Sequence, residues 1–400
     1  MIDTEEIKTG AEKYETPLYI FDVDEMLNTA VQFKKGTGNR ADICFAMKAN
    51  PFLVKQMPDL IDRIEVCSMG EYEICRNLGI APEKLLISGV LKEKEDILKI
   101  LQYYRGMCTY TIESPNQFYC LADWSEENRE VVHVYLRLTS GNQFGMDEEK
   151  IRYLMQVSHK YSFLKIRGLH YFSGTQKRSL EKIKKELLYL DDICRRLGNI
   201  SELEYGPGIP VAYFQNQKDE QNLYITGISE AIAEMKWKGK ITLEMGRALV
   251  ASCGYYLTRI KDIKQSNGKN YCIVDGGIHQ LQYDGQIRGI YQPKVRVLSE
   301  SLEEDTGENA KQEWTICGSL CTANDVLIQN LRTGKLKEDD LLVFEMAGAY
   351  APMEGMALFL SHDLPAVTIF RKSAGWKLIR EKQATYQWNM EREIENGKIN

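Results

Sequence analysis

Eight short runs of strand character, each followed by a helical pattern, constrain what this chain can fold into more than any other feature. They are ICFAMK from residue 43, RIEVCS from 63, KLLISG from 84, CTYTIES from 108, VVHVYLRL from 131, KIRGLHYF from 165, ELEYGPG from 202 and ITLEMGR from 241. Between them, apolar residues return at i, i+3, i+4 spacing. EEKIRYLMQVSHKY and LEKIKKELLYLDDICRRLG are the clearest cases, the second closed by a glycine. Eight such units in about 210 residues match a closed (β/α)8 barrel of the TIM type. The alternative is an open doubly wound sheet. It rarely needs eight units, and no G-x-G-x-x-G follows the first run.

After Arg247 the long helical patterns give way to crowded strand-like runs: SCGYYLTRIKDI, NYCIVDGG, PKVRVLS, EWTICGSL, DLLVFEM, AVTIFRK and GWKLIR. This texture predicts a β-barrel or sandwich domain. The expected division is a barrel over residues 30–247, with 1–29 and 248–400 forming the β-rich domain. The acidic stretch 299–312 reads as a solvated hairpin loop, and the last dozen residues as a frayed or weakly docked end.

The formal charge of −6 comes with no basic stripe, which argues against a nucleic-acid partner or an anionic membrane surface. No apolar run approaches the ~18 residues of a membrane span, and no charged-then-apolar leader opens the sequence. The ten cysteines form no C-x-x-C pair and mostly sit in apolar runs, and the five histidines are scattered. The expectation is reduced thiols, no metal site and a cytoplasmic location.

In a (β/α)8 barrel, side chains at the C-terminal ends of the strands line the site. Lys48 ends the first run, in CFAMKANP. It is either a lysine that snorkels to water or one held in a pocket to form an imine. Arg137 ends the fifth run, where a salt bridge is the bland alternative. His170, Phe172 and Thr175 close the sixth, and each fits core packing or a flat, phosphate-bearing ligand. Gly206 and Gly208 end the seventh, either as a plain turn or as backbone open to a phosphate. Glu244, Gly246 and Arg247 end the eighth, as a structural ion pair or as a partner for a ring nitrogen beside an anion-binding turn.

As an ordered set these motifs resemble the fold-type III pyridoxal-phosphate decarboxylases, the group that contains diaminopimelate and ornithine decarboxylases. The resemblance runs from TPLYIFD to the AGAY ending at Tyr350. It implies that Lys48, in AMKAN, bonds the cofactor. It implies that Glu65 and Glu71, in EVCSMGE, lie near the cofactor, and that Arg137 contacts its ring oxygen. YGPG resembles the family's triple-glycine phosphate loop with Pro207 in the middle. EMGR resembles E-P-G-R, whose glutamate pairs with the pyridinium nitrogen. GSLCTANDVL resembles C-E-S-G-D-x-L, which makes Cys321 the thiol that reaches the other subunit's site. Tyr350 becomes a phosphate contact. A homodimer with shared sites is implied too.

The reaction expected is decarboxylation of an amino acid, with Lys48 carrying the cofactor through a partly neutral amine and Cys321 delivering a proton to the α-carbon. Two departures stand out. Phe172 replaces the histidine usually stacked on the cofactor, so either Phe172 stacks instead or His170, two residues earlier on the same strand face, takes over some role. Thr322 replaces the acid that binds a distal ammonium, although Asp325 remains close in sequence. A buried cation needs an anionic partner, so a substrate ending in a simple ammonium is not expected. LCTxxD with the later FLSHDLP resembles a subgroup from siderophore and antibiotic pathways. Its substrates are amino acids conjugated to citrate or to a carrier protein. The alternatives are diaminopimelate decarboxylation, with Arg288 and Tyr291 as candidate carboxylate contacts, an amino-acid racemase and a catalytically silent homologue. His362 has no contact derivable from sequence.

Overall fold

The computed structural model describes residues 2–57, 61–299 and 311–391, together with the backbone of 394–395 and 398–399. The acidic stretch read as a hairpin loop and much of the C-terminal tail lie outside the described residues. The chain divides into two compact units. One comprises Leu27–Val211 and Asp219–Leu249, the other Met1–Met26, Ala212–Lys218 and Val250–Asn400.

The strands in chain order begin with β1 (Leu18–Asp22), β2 (Asp42–Ala46), β3 (Arg63–Val66), β4 (Leu85–Ile87), β5 (Thr109–Ile112) and β6 (Val132–Arg137). Next come β7 (Leu164–Phe172), β8 (Glu202–Gly206), β9 (Lys240–Met245), β10 (Gly254–Ser266), β11 (Lys269–Val274) and β12 (Val295–Leu298). Then follow β13 (Gln312–Cys317), β14 (Val326–Thr333), β15 (Leu341–Phe344), β16 (Ala366–Arg371) and β17 (Gly375–Arg380). Strands β2 to β9 close into a parallel barrel in sequence order, with β2 pairing β9. The eight sequence runs correspond one to one with these strands. They are legible because a barrel strand is covered on both faces, and β3, β4 and β5 are buried at every position.

Helices between the strands start where the sequence supplies caps. Ser68, Ser114 and Ser179 each accept the backbone N–H three residues on, and Pro115 occupies the first turn of its helix. The helix Leu180–Leu197 ends at Gly198, whose φ of 81° suits glycine.

The second unit is built on a nine-stranded sheet in the order β14-β13-β11-β10-β1-β16-β17, with β15 pairing β10 and β12 pairing β15. Its pairings are antiparallel except β1 with β16 and β11 with β13. Ile7, Leu18, Ile20, Leu257, Val343 and Phe370 form its apolar core. Strand β14 was absent from the sequence expectation. Its run VLIQNLRT places Gln329 and Asn330 mid-strand, which breaks the apolar signal. Residues 212–218 join this sheet unit, where Phe214 bridges Pro293.

Candidate active site

In the barrel unit the site grows from the end of β2. Strand β2 gives way to a single 3-10 turn, Met47–Ala49, which carries Lys48. Asn50, held extended as residues before proline are, stops the turn, and its side chain accepts Phe52 N–H at 3.1 Å. Met47 is buried against Cys75, so the turn is anchored from below while the Lys48 side chain stays partly accessible.

Neighbouring strands supply the carboxylates. Ala46 is in register with Glu65 on β3, and Cys44 with Glu244 on β9. Lys48 Nζ lies 2.6 Å from Glu65 Oε2 and 3.6 Å from Cys67 Sγ. Desolvation would lower the lysine, but the Glu65 and Glu244 carboxylates outweigh it and hold the amine well above its ordinary value. The expectation of a partly neutral amine is therefore corrected: this arrangement holds Lys48 as an ion-paired ammonium. Glu71 Oε2 accepts Cys67 N–H at 2.6 Å while Ser68 Oγ accepts Glu71 N–H, a variant of the capping box.

Glu244 has a protein partner. Its Oε2 lies 2.8 Å from His170 Nε2, and both side chains are buried. Burial would raise this carboxyl, but His170, with Lys48 and Arg137 behind it, drives it down to about 2. His170 Nδ1 is buried with no hydrogen-bond partner among the described residues. Arg137 is buried at the end of β6, pairs with Glu113 and sits 4.6 Å from the Phe144 ring centroid. Glu113 also accepts Gly145 N–H at 2.8 Å.

Three adjacent strands, β7, β8 and β9, run out into glycine-bearing turns. Phe172, half-buried, packs across Gly206, where an added Cβ would lie 2.6 Å from the ring. Gly208 has φ +62°, and a Cβ there would meet Gly174 O at 2.2 Å. The two turns are laced together by Lys177 N–H to Gly208 O at 2.9 Å, with exposed Thr175 between. Glu186, from the helix after β7, accepts Ser173 Oγ (2.6 Å), Lys177 Nζ (2.6 Å) and Tyr205 OH (2.7 Å). Past β9, Gly246 is half-buried and Arg247 is buried at the start of a one-turn helix. Glu113 and Glu186 escaped the sequence reading, because a glutamate in a helical pattern or before Ser-Pro carries no signal of its partner.

In the sheet unit, Cys321 and Thr322 sit on the turn between β13 and β14. All ten cysteines are free, and Cys321 is the exposed one. Asp325 braces this turn. Its Oδ1 accepts Ile278 N–H at 2.9 Å and its Oδ2 accepts Leu320 N–H at 2.8 Å, in space left by Gly277 and Gly318. With both oxygens taken and the residue buried, Asp325 is a structural brace, which corrects its reading as a substrate contact. Arg288 (φ 49°) lines a cavity of about 230 Å³ with Gln286 and Asn324. Tyr291 is exposed, its ring 5.2 Å from that of Phe214. Tyr350 adopts φ 63° in the turn after β15, and its carbonyl accepts Met353 N–H at 2.8 Å.

Residues 18–348 match the family model described as "Pyridoxal-dependent decarboxylase, C-terminal sheet domain". The chain belongs to this family, and it is a pyridoxal-phosphate-dependent amino-acid decarboxylase. It is 26% identical to the L-glutamyl-[BtrI acyl-carrier protein] decarboxylase of Niallia circulans, over 95% of this chain and 94% of that one. It is 23% identical to the diaminopimelate decarboxylase of Aquifex aeolicus, over 94% and 91% of the two chains. In fold it resembles the crystal structure of diaminopimelate decarboxylase from Helicobacter pylori complexed with L-lysine. That match has a TM-score of 0.80 and 21% identity, and covers 96% of this chain and 98% of that chain.

The barrel unit fits such a cofactor by its own chemistry. An amine stands at the strand mouth, and an ionised carboxylate is held on a buried histidine. Gly208 sits where no Cβ is tolerated, and a half-buried ring lies beside it.

Proposed function

We propose that this decarboxylase acts on an amino acid already joined to a larger group, either a carrier-protein thioester or a citryl conjugate. The observation that carries the reading is the turn between β13 and β14. Thr322 is half-buried on this turn, and Asp325, the carboxylate of the turn, is buried against Ile278 and Leu320 N–H. A distal ammonium would find no anionic partner on this turn. The similarity to a carrier-protein-linked glutamyl decarboxylase over nearly the full length supports the same choice.

When bound, pyridoxal phosphate supplies an electron sink for the pair left at the α-carbon as CO2 departs. The chain's residues do the rest. Glu65 takes the proton that Lys48 must shed before its amine can attach the cofactor, across the 2.6 Å contact. His170 holds Glu244 across the 2.8 Å contact, and Glu244 would pair with the ring nitrogen. Arg137, fixed by Glu113, would contact the ring oxygen, and Phe172 would offer an aromatic face. Gly206, Gly208, Gly246, Arg247 and Thr175 would hold the phosphate. Cys321 returns a proton to the α-carbon from a partner subunit in a head-to-tail homodimer, working in the cytoplasm of a siderophore or natural-product pathway.

The test is a CO2-release screen comparing diaminopimelate, ornithine, lysine and arginine with citryl- and carrier-linked amino acids. Turnover of a free diamino acid above every conjugate refutes the reading. Mixing Lys48→Ala and Cys321→Ala chains should restore about a quarter of the activity if dimers assort randomly; no recovery refutes shared sites. A second reading, diaminopimelate decarboxylation, draws on Arg288, which lines the 230 Å³ cavity where a distal carboxylate would be paired.

A further inference from the structure

The motif FLSHDLP is not absorbed by the chemistry above, and the structure gives His362 a neighbour the sequence did not suggest. The ring of His362 lies 5.0 Å from that of His279, at an interplanar angle of 50°. His279 is 2% exposed, and neither of its ring nitrogens has a hydrogen-bond partner among the described residues. A buried polar atom left unmet is a cost that a ligand's hydrogen bond removes. Burial, with His362 alongside, pushes the His279 ring down to about 4, so it stays neutral and presents one donor and one acceptor.

The presentation of His362 is not a backbone default. Leu360 and Ser361, the two residues before it, both adopt φ 55°. Left-handed backbone is unfavourable for both residues. Asn389 Nδ2 holds this turn by donating to Leu358 O at 2.7 Å and to Ser361 Oγ at 2.9 Å. His279 is also tied to the turn that bears Cys321. The Asp325 carboxylate accepts the N–H of Ile278, next to His279, and the N–H of Leu320, next to Cys321.

His362 lines a cavity of about 330 Å³ with Gln280, Leu360, Asp275, Asp363 and Lys382. Lys382 is ion-paired with Asp363 at 3.4 Å, so the three charged side chains leave a net negative wall. A citryl group, itself a polycarboxylate, is repelled there. An uncharged chain of amides, each offering an N–H and a C=O, matches the ring nitrogens of the two imidazoles.

We infer that His279 and His362 form a specificity-determining subsite that receives the uncharged, amide-bearing arm on which a carrier protein presents its amino acid. The inference rests on the conjugated-substrate reading above and narrows it to the thioester class.

The test measures binding of free pantetheine to the holoenzyme by calorimetry, in wild type and in His279→Phe, His279→Gln and His362→Phe. The absorbance of the bound cofactor checks that each variant is folded. Pantetheine should bind wild type, lose about tenfold in affinity for each hydrogen bond removed in the Phe variants, and recover in part with His279→Gln. No binding to wild type, or wild-type affinity in both Phe variants, overturns the subsite. CO2 release from the glutamyl thioester of pantetheine by wild type is the separate arm. Turnover with no dependence of binding on either histidine sinks the subsite and leaves the conjugated-substrate reading. Histidine-dependent binding without turnover upholds the subsite as a pantetheine site and sinks the substrate reading.

Discussion

Glu186 carries a prediction that can be worked through from geometry. Its carboxylate is the common acceptor for Ser173, Lys177 and Tyr205, and so joins the turn after β7 to the end of β8. The side chain of Lys177 is 3% exposed, and desolvation sets its ammonium below the ordinary lysine value despite the carboxylate 2.6 Å away. Deleting Glu186 therefore strands a cation the fold already holds at a cost. Removing one partner of a buried pair costs about 3–5 kcal/mol. At about 2–4 °C per kcal/mol for a unit of this size, Glu186→Ala should lower the unfolding midpoint by roughly 10 °C in scanning calorimetry. Lys177→Met combined with Glu186→Leu should recover at least half of that loss, since no charge is then left unpaired. The pH dependence has a definite sign. Burial would raise the Glu186 carboxyl, but the Lys177, Ser173 and Tyr205 hydrogen bonds outweigh it and hold it below its ordinary value. Its contribution is thus fully present above the unfolded value of about 4.3 and fades as pH falls through the lower folded value. The gap between wild type and Glu186→Gln should be flat near neutrality and close in acid. A midpoint shift below about 2 °C for Glu186→Ala, or a double variant worse than the single one, would mean that Lys177 is not stranded by the loss of Glu186.

Three further outcomes follow from the barrel unit. Lys48→Ala should lose the borohydride-trapped cofactor label in peptide mass mapping. The residue to watch for a misplaced label is Lys92, whose amine burial lowers to about 8 and whose Nζ donates to Gly89 O at 2.5 Å; a label on Lys92 in wild type would move the anchor. Gly208→Ala places a Cβ 2.2 Å from Gly174 O at φ +62°, so a cofactor titration should show at least about a tenfold loss of affinity; unchanged affinity would remove this turn from the phosphate site. Glu204 is fully buried, and desolvation raises its carboxyl to about 7. Folding then takes up a proton between the unfolded and folded values, so wild type loses stability as pH rises through that window. Glu204→Gln should gain on wild type by up to about 1.4 kcal/mol per pH unit from pH 4.5 to 7, then level off; a flat difference in denaturant titrations would contradict it.

The barrel was legible because parallel strands covered on both faces write continuous apolar runs, and because strand ends in such a barrel are where Lys48, Arg137, Glu244 and Gly208 fall. What stayed hidden depends on partners distant in sequence. Glu186 looks like any glutamate on a helix until Lys177 and Tyr205 converge on it. Asp325 reads as a free acid beside Cys321, because no sequence pattern shows that Gly277 and Gly318 leave room for its carboxylate to turn inward. His279 sits in a turn with no apolar period, and its pairing with His362 spans more than eighty residues of chain.

The ionic groups inside the barrel explain why the amine at its mouth can be both charged and useful. Low in the barrel, Arg63 lies 3.0 Å from Glu204 and 2.8 Å from Glu202, and Tyr135 bonds to both Arg63 and Glu202. Desolvation raises the Glu204 carboxyl, and the charge of Glu244 adds to that rise against the pull of Arg63. Glu204 yields and is held near neutrality, while Glu244, paired with His170, stays ionised. The negative charge is thus placed where a ring nitrogen needs it. Lys48 responds to that charge and to Glu65 by holding its proton, and the 2.6 Å contact provides the acceptor when the amine must let it go. Hydrophobic residues at Arg63 and Glu204 would pack as well or better. They would also remove the gradient that decides which carboxylate beneath the site carries the charge.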